Sequence, residues 1–181
     1  MSSLKNTNEK YGIITKILHI AFILLFILQY YLVYRREYLP ENSPESIQYI
    51  LLHKSIGFTL LFLGLFAVIW AIINKHPKLP KNLPGWEKVS AGISKILLYC
   101  AIFLMPLSGT LMSFLGGRKL LWFGIEVYNP FVVNKELAST FYSFHVYFSY
   151  FIIALVAIHS IAALKHKFIY KNNILQRMWK F

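Results

Sequence analysis

The fold is decided by Leu137–Leu164, LASTFYSFHVYFSYFIIALVAIHSIAAL, an apolar run whose only ionisable groups of basic type are His145 and His159. Its length suits a membrane-spanning helix, which needs about 20 apolar residues to cross a hydrocarbon core of about 30 Å. Fourteen residues of helix rise about 21 Å and make about 3.9 turns, so both rings leave one face, one toward each side of the bilayer. Imidazole in hydrocarbon is expensive unless it binds something, which makes both histidines candidate functional residues.

Three further stretches read as spans: Ile13–Val33, Ile47–Ile73 and Ser90–Leu115. None shows the alternation over about ten residues that marks a barrel strand. With 181 residues, 57% hydrophobic and 17% aromatic, the chain is expected to be an all-α membrane protein. The predicted architecture is a four-transmembrane-helix bundle forming a single domain over residues 1–181. The first span is too long for the apolar core of a signal peptide, and no small-residue cleavage site follows it. It ends instead in Gln29-Tyr30-Tyr31 and Tyr34-Arg35-Arg36, an aromatic and basic interfacial border. Cys100, the sole cysteine, reads as a small packing residue.

A net charge of +12 invites a nucleic-acid reading, but the charges are sorted by loop. Taking connections on alternate sides, thirteen basic residues fall with the two termini, from Lys5, Lys10 and Lys16 to Arg177 and Lys180. Six fall on the other side: Arg35, Arg36, Lys54, Arg118, Lys119 and Lys135. Five of the seven acidic residues join that second group: Glu37, Glu41, Glu45, Glu126 and Glu136. The positive-inside rule therefore places both termini in the cytoplasm and accounts for the basic excess without nucleic acid.

In that orientation His19 lies near the cytoplasmic start of span one and His53 near the outer start of span two. Depth pairs His19 with His159 inside and His53 with His145 outside. A single histidine in a span is accounted for by a hydrogen bond to a neighbouring helix; four at matched depths ask for more. Zinc wants four ligands converging on one point, and ligands about 21 Å apart do not converge. Two bis-histidine sites suit haem, whose porphyrin supplies the remaining four nitrogens. Covalent attachment needs Cys-x-x-Cys-His, which a chain with one cysteine lacks, so the expected cofactors are two haem b groups.

The neighbours agree with a large planar cofactor. Gly57 follows His53 by four residues on the same helix face, and Phe141, Tyr142, Phe144, Tyr147 and Phe148 crowd His145. Lys16 and Lys54, close to His19 and His53, are candidates to meet propionates. Span three has no histidine and is expected to supply wall. His76, in the loop Asn74-Lys75-His76-Pro77, reads as solvated. His166, seven residues after His159, is a candidate contact for a propionate or a quinone head group.

These residues resemble the prokaryotic cytochrome b561 family over nearly the whole chain. Tyr11 and His19 resemble its opening, and His53-Lys54-Ser55-Ile56-Gly57 its His-x-x-x-Gly element. Span three carries Leu98-Tyr99 and a Pro-x-x-Gly pattern at Pro106-Leu107-Ser108-Gly109, and Trp122-Phe123-Gly124 is similar to its aromatic turn. Span four and the tail Tyr170-Lys171-Asn172-Asn173-Ile174-Leu175-Gln176-Arg177-Met178 match it best. Two positions depart: Lys95 stands where a histidine is common, and Asn172 where aspartate is usual.

The resemblance implies that His19, His53, His145 and His159 are axial haem ligands and that Lys81 and His166 belong to a cytoplasmic-side quinone site. It implies a multi-pass protein of the inner membrane that moves electrons between an outer-side donor and the quinone pool. Superoxide as donor and ubiquinone as acceptor would make it a superoxide:ubiquinone oxidoreductase. The alternative is a cytochrome b anchor subunit of a hydrogenase- or formate-dehydrogenase-like complex. Lipid and quinone are expected partners, and a partner protein or a second copy is compatible with either reading.

Overall fold

Each long helix starts and stops where local chemistry directs it. In the computed structural model, which describes residues 3–80 and 82–179, four helices are long and apolar enough to cross a membrane: α1 (Ile13–Glu37), α2 (Pro44–Ile73), α3 (Gly85–Leu115) and α4 (Lys135–Phe168). A short α5 (Ile174–Trp179) closes the described chain. The helices match the four expected spans but run past their ends by up to five residues, because polar turns extend beyond the hydrocarbon where charged side chains meet water.

The N-terminus of α2 is capped by Ser43, whose Oγ accepts from Ser46 N at 3.2 Å, with Pro44 in the first helical position where its missing N–H does no harm. Asn134 does the same for α4, its Oδ1 accepting from Leu137 N at 3.0 Å. At the end of α3 the chain turns through Gly117 at φ +67°. Arg118 N donates to Ser113 O and Gly117 N to Phe114 O, the paired bonds of a Schellman stop. Between α3 and α4 lies a small hairpin, β1 (Leu121–Trp122) and β2 (Ile125–Glu126), pairing antiparallel with Trp122 opposite Ile125. Its two-residue loop has Phe123 at φ +48° and Gly124 at φ +92°, as a type I′ turn requires. The resemblance-based turn at Trp122-Phe123-Gly124 is thus a hairpin tip with a phenylalanine in the left-handed region.

Burial within the protein is low along the spans. In the most apolar window only 11% of residues are buried in α1 and in α4, and 28% in α3. Leu24, Phe62, Ile72 and Ile158 are exposed. Such faces belong against lipid: this is a multi-pass, four-helix membrane bundle.

The chain packs as two units, and each long helix lends a part to both. One comprises Met1–Ala21, Leu65–Ala101 and Tyr150–Phe181. Its organising residue is buried Asn6. Asn6 Oδ1 accepts from Gly12 N at 2.9 Å and Thr15 Oγ1 at 2.7 Å, while its Nδ2 donates to Lys75 O at 2.9 Å. Thr15 Oγ1 in turn accepts from Trp70 Nε1 at 3.0 Å. Asn6→Ala would strand three partners, of which buried Gly12 N would cost about 1–3 kcal/mol as an unsatisfied group and the part-buried Thr15 hydroxyl and Lys75 carbonyl less. The expected result is release of the N-terminal arm, seen as faster tryptic cleavage at Lys10; unchanged cleavage would show that the arm is held by other means.

The other unit comprises Phe22–Gly64 and Ile102–Ser149. Tyr30 OH donates to Ser149 O at 2.7 Å and Gln29 Nε2 to His53 O at 3.1 Å. Ser55 Oγ ties the hairpin to α2, accepting from Phe123 N at 3.1 Å and lying 2.8 Å from the Leu121 carbonyl, and Trp122 Nε1 donates to Thr59 Oγ1 at 2.9 Å. Pro106 lies inside α3. It has no N–H to give Ile102 O, the carbonyl four residues back. Gly64 of α2 packs against that carbonyl so closely that a Cβ there would collide with it.

Candidate functional site

Four histidines meet as two pairs, one in each unit. His53 on α2 and His145 on α4 stand with ring centres 6.3 Å apart and planes at 89°. His19 on α1 and His159 on α4 stand 6.4 Å apart with planes at 61°. These are the pairs that depth assigns from the sequence. The helix register explains them, since all four side chains sit in segments too apolar to do anything but span.

The spacing has a chemical meaning. Histidine nitrogen–metal bonds run about 2.0–2.1 Å and a ring centre lies about 1.1 Å behind its nitrogen, so imidazoles flanking one metal ion stand about 6.3 Å apart. A direct N–H···N bond would bring the centres to about 5.1 Å. Both pairs therefore leave room for one ion between the rings and are too far apart to satisfy each other. Nδ1 of His19 and Nδ1 of His53 are buried and make no hydrogen bond of ordinary geometry. A buried imidazole nitrogen in this state calls for an explanation, of which a bound group is one. Among the described residues no third His, Cys, Asp or Glu joins either pair, so neither can form a four-ligand zinc site. A pair of imidazoles with room for one ion between them is a donor set that would suit haem, which would bring its own four further nitrogens.

Around the His53–His145 pair the structure corrects one expectation. Span three is more than wall: its Ser108 Oγ lies 2.9 Å from His145 Nδ1, and a Cβ on Gly109 would come 3.0 Å from His145 Cε1. The Pro106-x-x-Gly109 pattern thus sets Ser108 and Gly109 against the His145 ring, the serine bonding it and the glycine clearing space for it. Beside them Leu104, Leu107, Ser108, Thr140, Phe141 and Phe144 line an apolar cavity of about 270 Å³. Gly57 faces the Gln29 side chain, 3.4 Å from where its Cβ would be.

Trp179 of α5 sets its ring edge-on to His19 at 6.1 Å, and Arg177 Nη1 donates to Lys78 O at 2.7 Å. Lys16, three residues before His19, is almost wholly buried, at 2% exposure. His166 bonds through Nδ1 to Asn172 Nδ2 at 3.0 Å and lies near the Tyr170 ring. The position departing from the family's aspartate is thereby a partner of the expected quinone contact. Lys81 lies outside the described residues. Glu87, absent from the sequence-based site, is buried and accepts from Lys165 Nζ at 2.8 Å and Tyr170 OH at 2.6 Å. Its partners lie 78 and 83 residues away in sequence, so no local pattern announces it. His76, expected to be solvated, is partly buried; burial first, and the Lys95 cation second, hold its pKa below the usual imidazole value.

A family profile described as prokaryotic cytochrome b561 matches residues 10–181. The chain belongs to the prokaryotic cytochrome b561 family. Cytochrome b561 homolog 2 of Escherichia coli (strain K12) is 30% identical over 178 residues, covering 97% of this chain and 94% of that protein. Cytochrome b561 homolog 1 of the same organism is 31% identical over 112 residues, 59% of this chain and 63% of the relative. A protein named probable superoxide oxidase CybB, from Yersinia pestis, is 27% identical over 134 residues, 71% and 73% of the two chains. Membership in the cytochrome b561 family makes this a membrane electron-transfer protein of the haem b class, and the histidine pairs are the described side chains that fit the group.

Proposed function

We propose that the protein holds two haem b groups per chain, one between His53 and His145 and one between His19 and His159, and carries single electrons across the inner membrane to quinone. The observation that supports this most is the twofold occurrence of a histidine pair at the spacing of two imidazoles on one ion, 6.3 and 6.4 Å. When bound with both axial positions filled, haem supplies one-electron oxidation and reduction with no open site for substrate.

The chain's residues do the rest. The four histidines fix the iron positions, and the apolar side chains of the spans exclude water. The basic bias of the termini-bearing loops supports a cytoplasmic position for both termini. His53 and His145 then face the outer side, where Arg35, Arg36, Lys54, Arg118, Lys135 and Lys119, the last paired with Glu126 at 2.9 Å, can draw in an anionic donor. Superoxide fits that donor class, and one homologous protein is named probable superoxide oxidase CybB. Two superoxide anions each give one electron and leave as dioxygen; one ubiquinone takes both electrons with two protons and leaves as quinol. Lys81 and His166 are the proposed quinone contacts on the cytoplasmic side, with the protons drawn from that side.

The test combines a reduced-minus-oxidised spectrum, haem counted per chain, and quinol formation under a flux of superoxide. The expected outcome is a low-spin b-type spectrum, two haems per chain, and quinol produced in proportion to superoxide removed. One haem at saturation, or a high-spin spectrum, would defeat the pairing. Two haems with no quinol would leave the cytochrome standing and overturn the superoxide reaction.

A further inference from the structure

We infer that Ser108 is a positioning residue for the iron ligand His145 and lowers the reduction potential of the haem that His145 holds. This rests on the reading above that His145 is an axial ligand.

The polarity of the contact follows from counting protons. Ser108 Oγ lies 2.8 Å from the carbonyl of Met105 and 2.9 Å from His145 Nδ1. A carbonyl only accepts, and a serine hydroxyl has one proton to give. That proton goes to Met105 O, so the hydroxyl oxygen accepts from His145 Nδ1–H. The imidazole is then fixed as the Nδ1–H tautomer, with the Nε2 lone pair bare for a metal. The arrangement is rigid: Ser108 is 2% exposed, and the carbonyl that orients it belongs to the same turn of α3. Gly109 next to it holds the ring in register, since a Cβ there would lie 3.0 Å from His145 Cε1.

Among the pairs this support is one-sided. Nδ1 of His53, across from His145, is buried and makes no hydrogen bond of ordinary geometry, with only a weaker approach to the Gln29 backbone, and Nδ1 of His19 in the other pair makes none either. A ligand histidine whose second nitrogen donates to an oxygen is more basic and gives more electron density to its metal. That favours the ferric state. The two haems would therefore differ in potential for a reason that resides in one hydroxyl, with the His53–His145 haem moved downward by it.

Ser108→Ala in the haem-loaded protein removes the acceptor without adding volume. Potentiometric titration followed by absorbance, with electron paramagnetic resonance of the ferric low-spin signals, should show one haem shifted upward and the other unmoved. The expected size is about a threefold rise in the reduced fraction near the midpoint, some 30 mV at 59 mV per tenfold for one electron. Ser108→Thr keeps the hydroxyl and should return the potential toward the wild-type value. If Ser108→Ala sheds one haem, restoration by threonine supports the positioning role, and failure to restore it overturns the role. Two unmoved potentials, or equal movement of both, also overturn it. A wild-type protein with no haem would instead sink the cytochrome reading itself.

Discussion

Replacing His53 and His145 together with alanine should leave a protein carrying half the wild-type haem, whereas replacing His19 and His145 together should leave almost none. Both double variants remove two ligands and open two cavities of the same size, so their difference isolates the pairing. The first pair shares one site, with ring centres 6.3 Å apart; the second takes one ligand from each of two sites. Loss of one axial histidine leaves the other imidazole to hold a porphyrin alone, and non-covalent retention should fall by at least the 10–100-fold seen when mere supporting groups of a metal site are removed. Pyridine haemochrome content per folded chain, measured on monodisperse protein, reads the result. Equal haem in the two double variants would show that the histidines do not act as these pairs. In the single variants, His145→Ala should abolish reduction by an aqueous outer donor, and His159→Ala should allow reduction of the remaining haem but stop delivery to quinone.

The sequence makes the histidine pairs legible because a membrane reduces the choices. Depth follows from position in the span, and a helix admits one face for residues fourteen apart. The same logic explains what stayed hidden. Ser108 is one of many small polar residues in apolar helices, and only the proximity of His145, 37 residues away, singles it out. Gly109 and Pro106 were visible as a pattern, but a pattern in span three does not say which neighbour it faces. Gly57 shows the converse: its register relative to His53 was right, yet the side chain it accommodates is Gln29. The Asn6 cluster and Glu87 arise from loop and tail segments whose course depends on tertiary contacts over tens of residues. Helix ends moved outward for a related reason, since hydropathy marks the edge of hydrocarbon and capping by Ser43 or Asn134 marks the edge of the helix.

Gly64→Ala should destabilise the protein on the order of 2 kcal/mol, although alanine is the better helix former. Two terms oppose each other. Exchange of glycine for alanine within a helix gains about 1 kcal/mol from propensity and from a less free unfolded chain. Against it, the new Cβ would run into the Ile102 carbonyl oxygen and come 3.1 Å from the carbonyl carbon. A backbone carbonyl cannot swing aside as a side chain can, so α2 and α3 must separate locally, and overpacking of this kind costs about 1–3 kcal/mol or more. Separation also withdraws the glycine Cα–H groups from a carbonyl that Pro106 leaves without its helical donor, an exposed dipole in an apolar setting. The clash should win. Gly92→Ala supplies the control, because a Cβ at Gly92 meets nothing within 4 Å and should leave stability unchanged or slightly raised. Thermal unfolding in detergent, followed by aggregation and by haem release, should separate the two variants by several degrees. The haem held by His53 and His145 should leave first in Gly64→Ala, because Gly64, Ile102 and that pair belong to one packed unit. If Gly64→Ala melts with Gly92→Ala, the close approach of α2 to the Pro106 kink is not what holds this part of the bundle together.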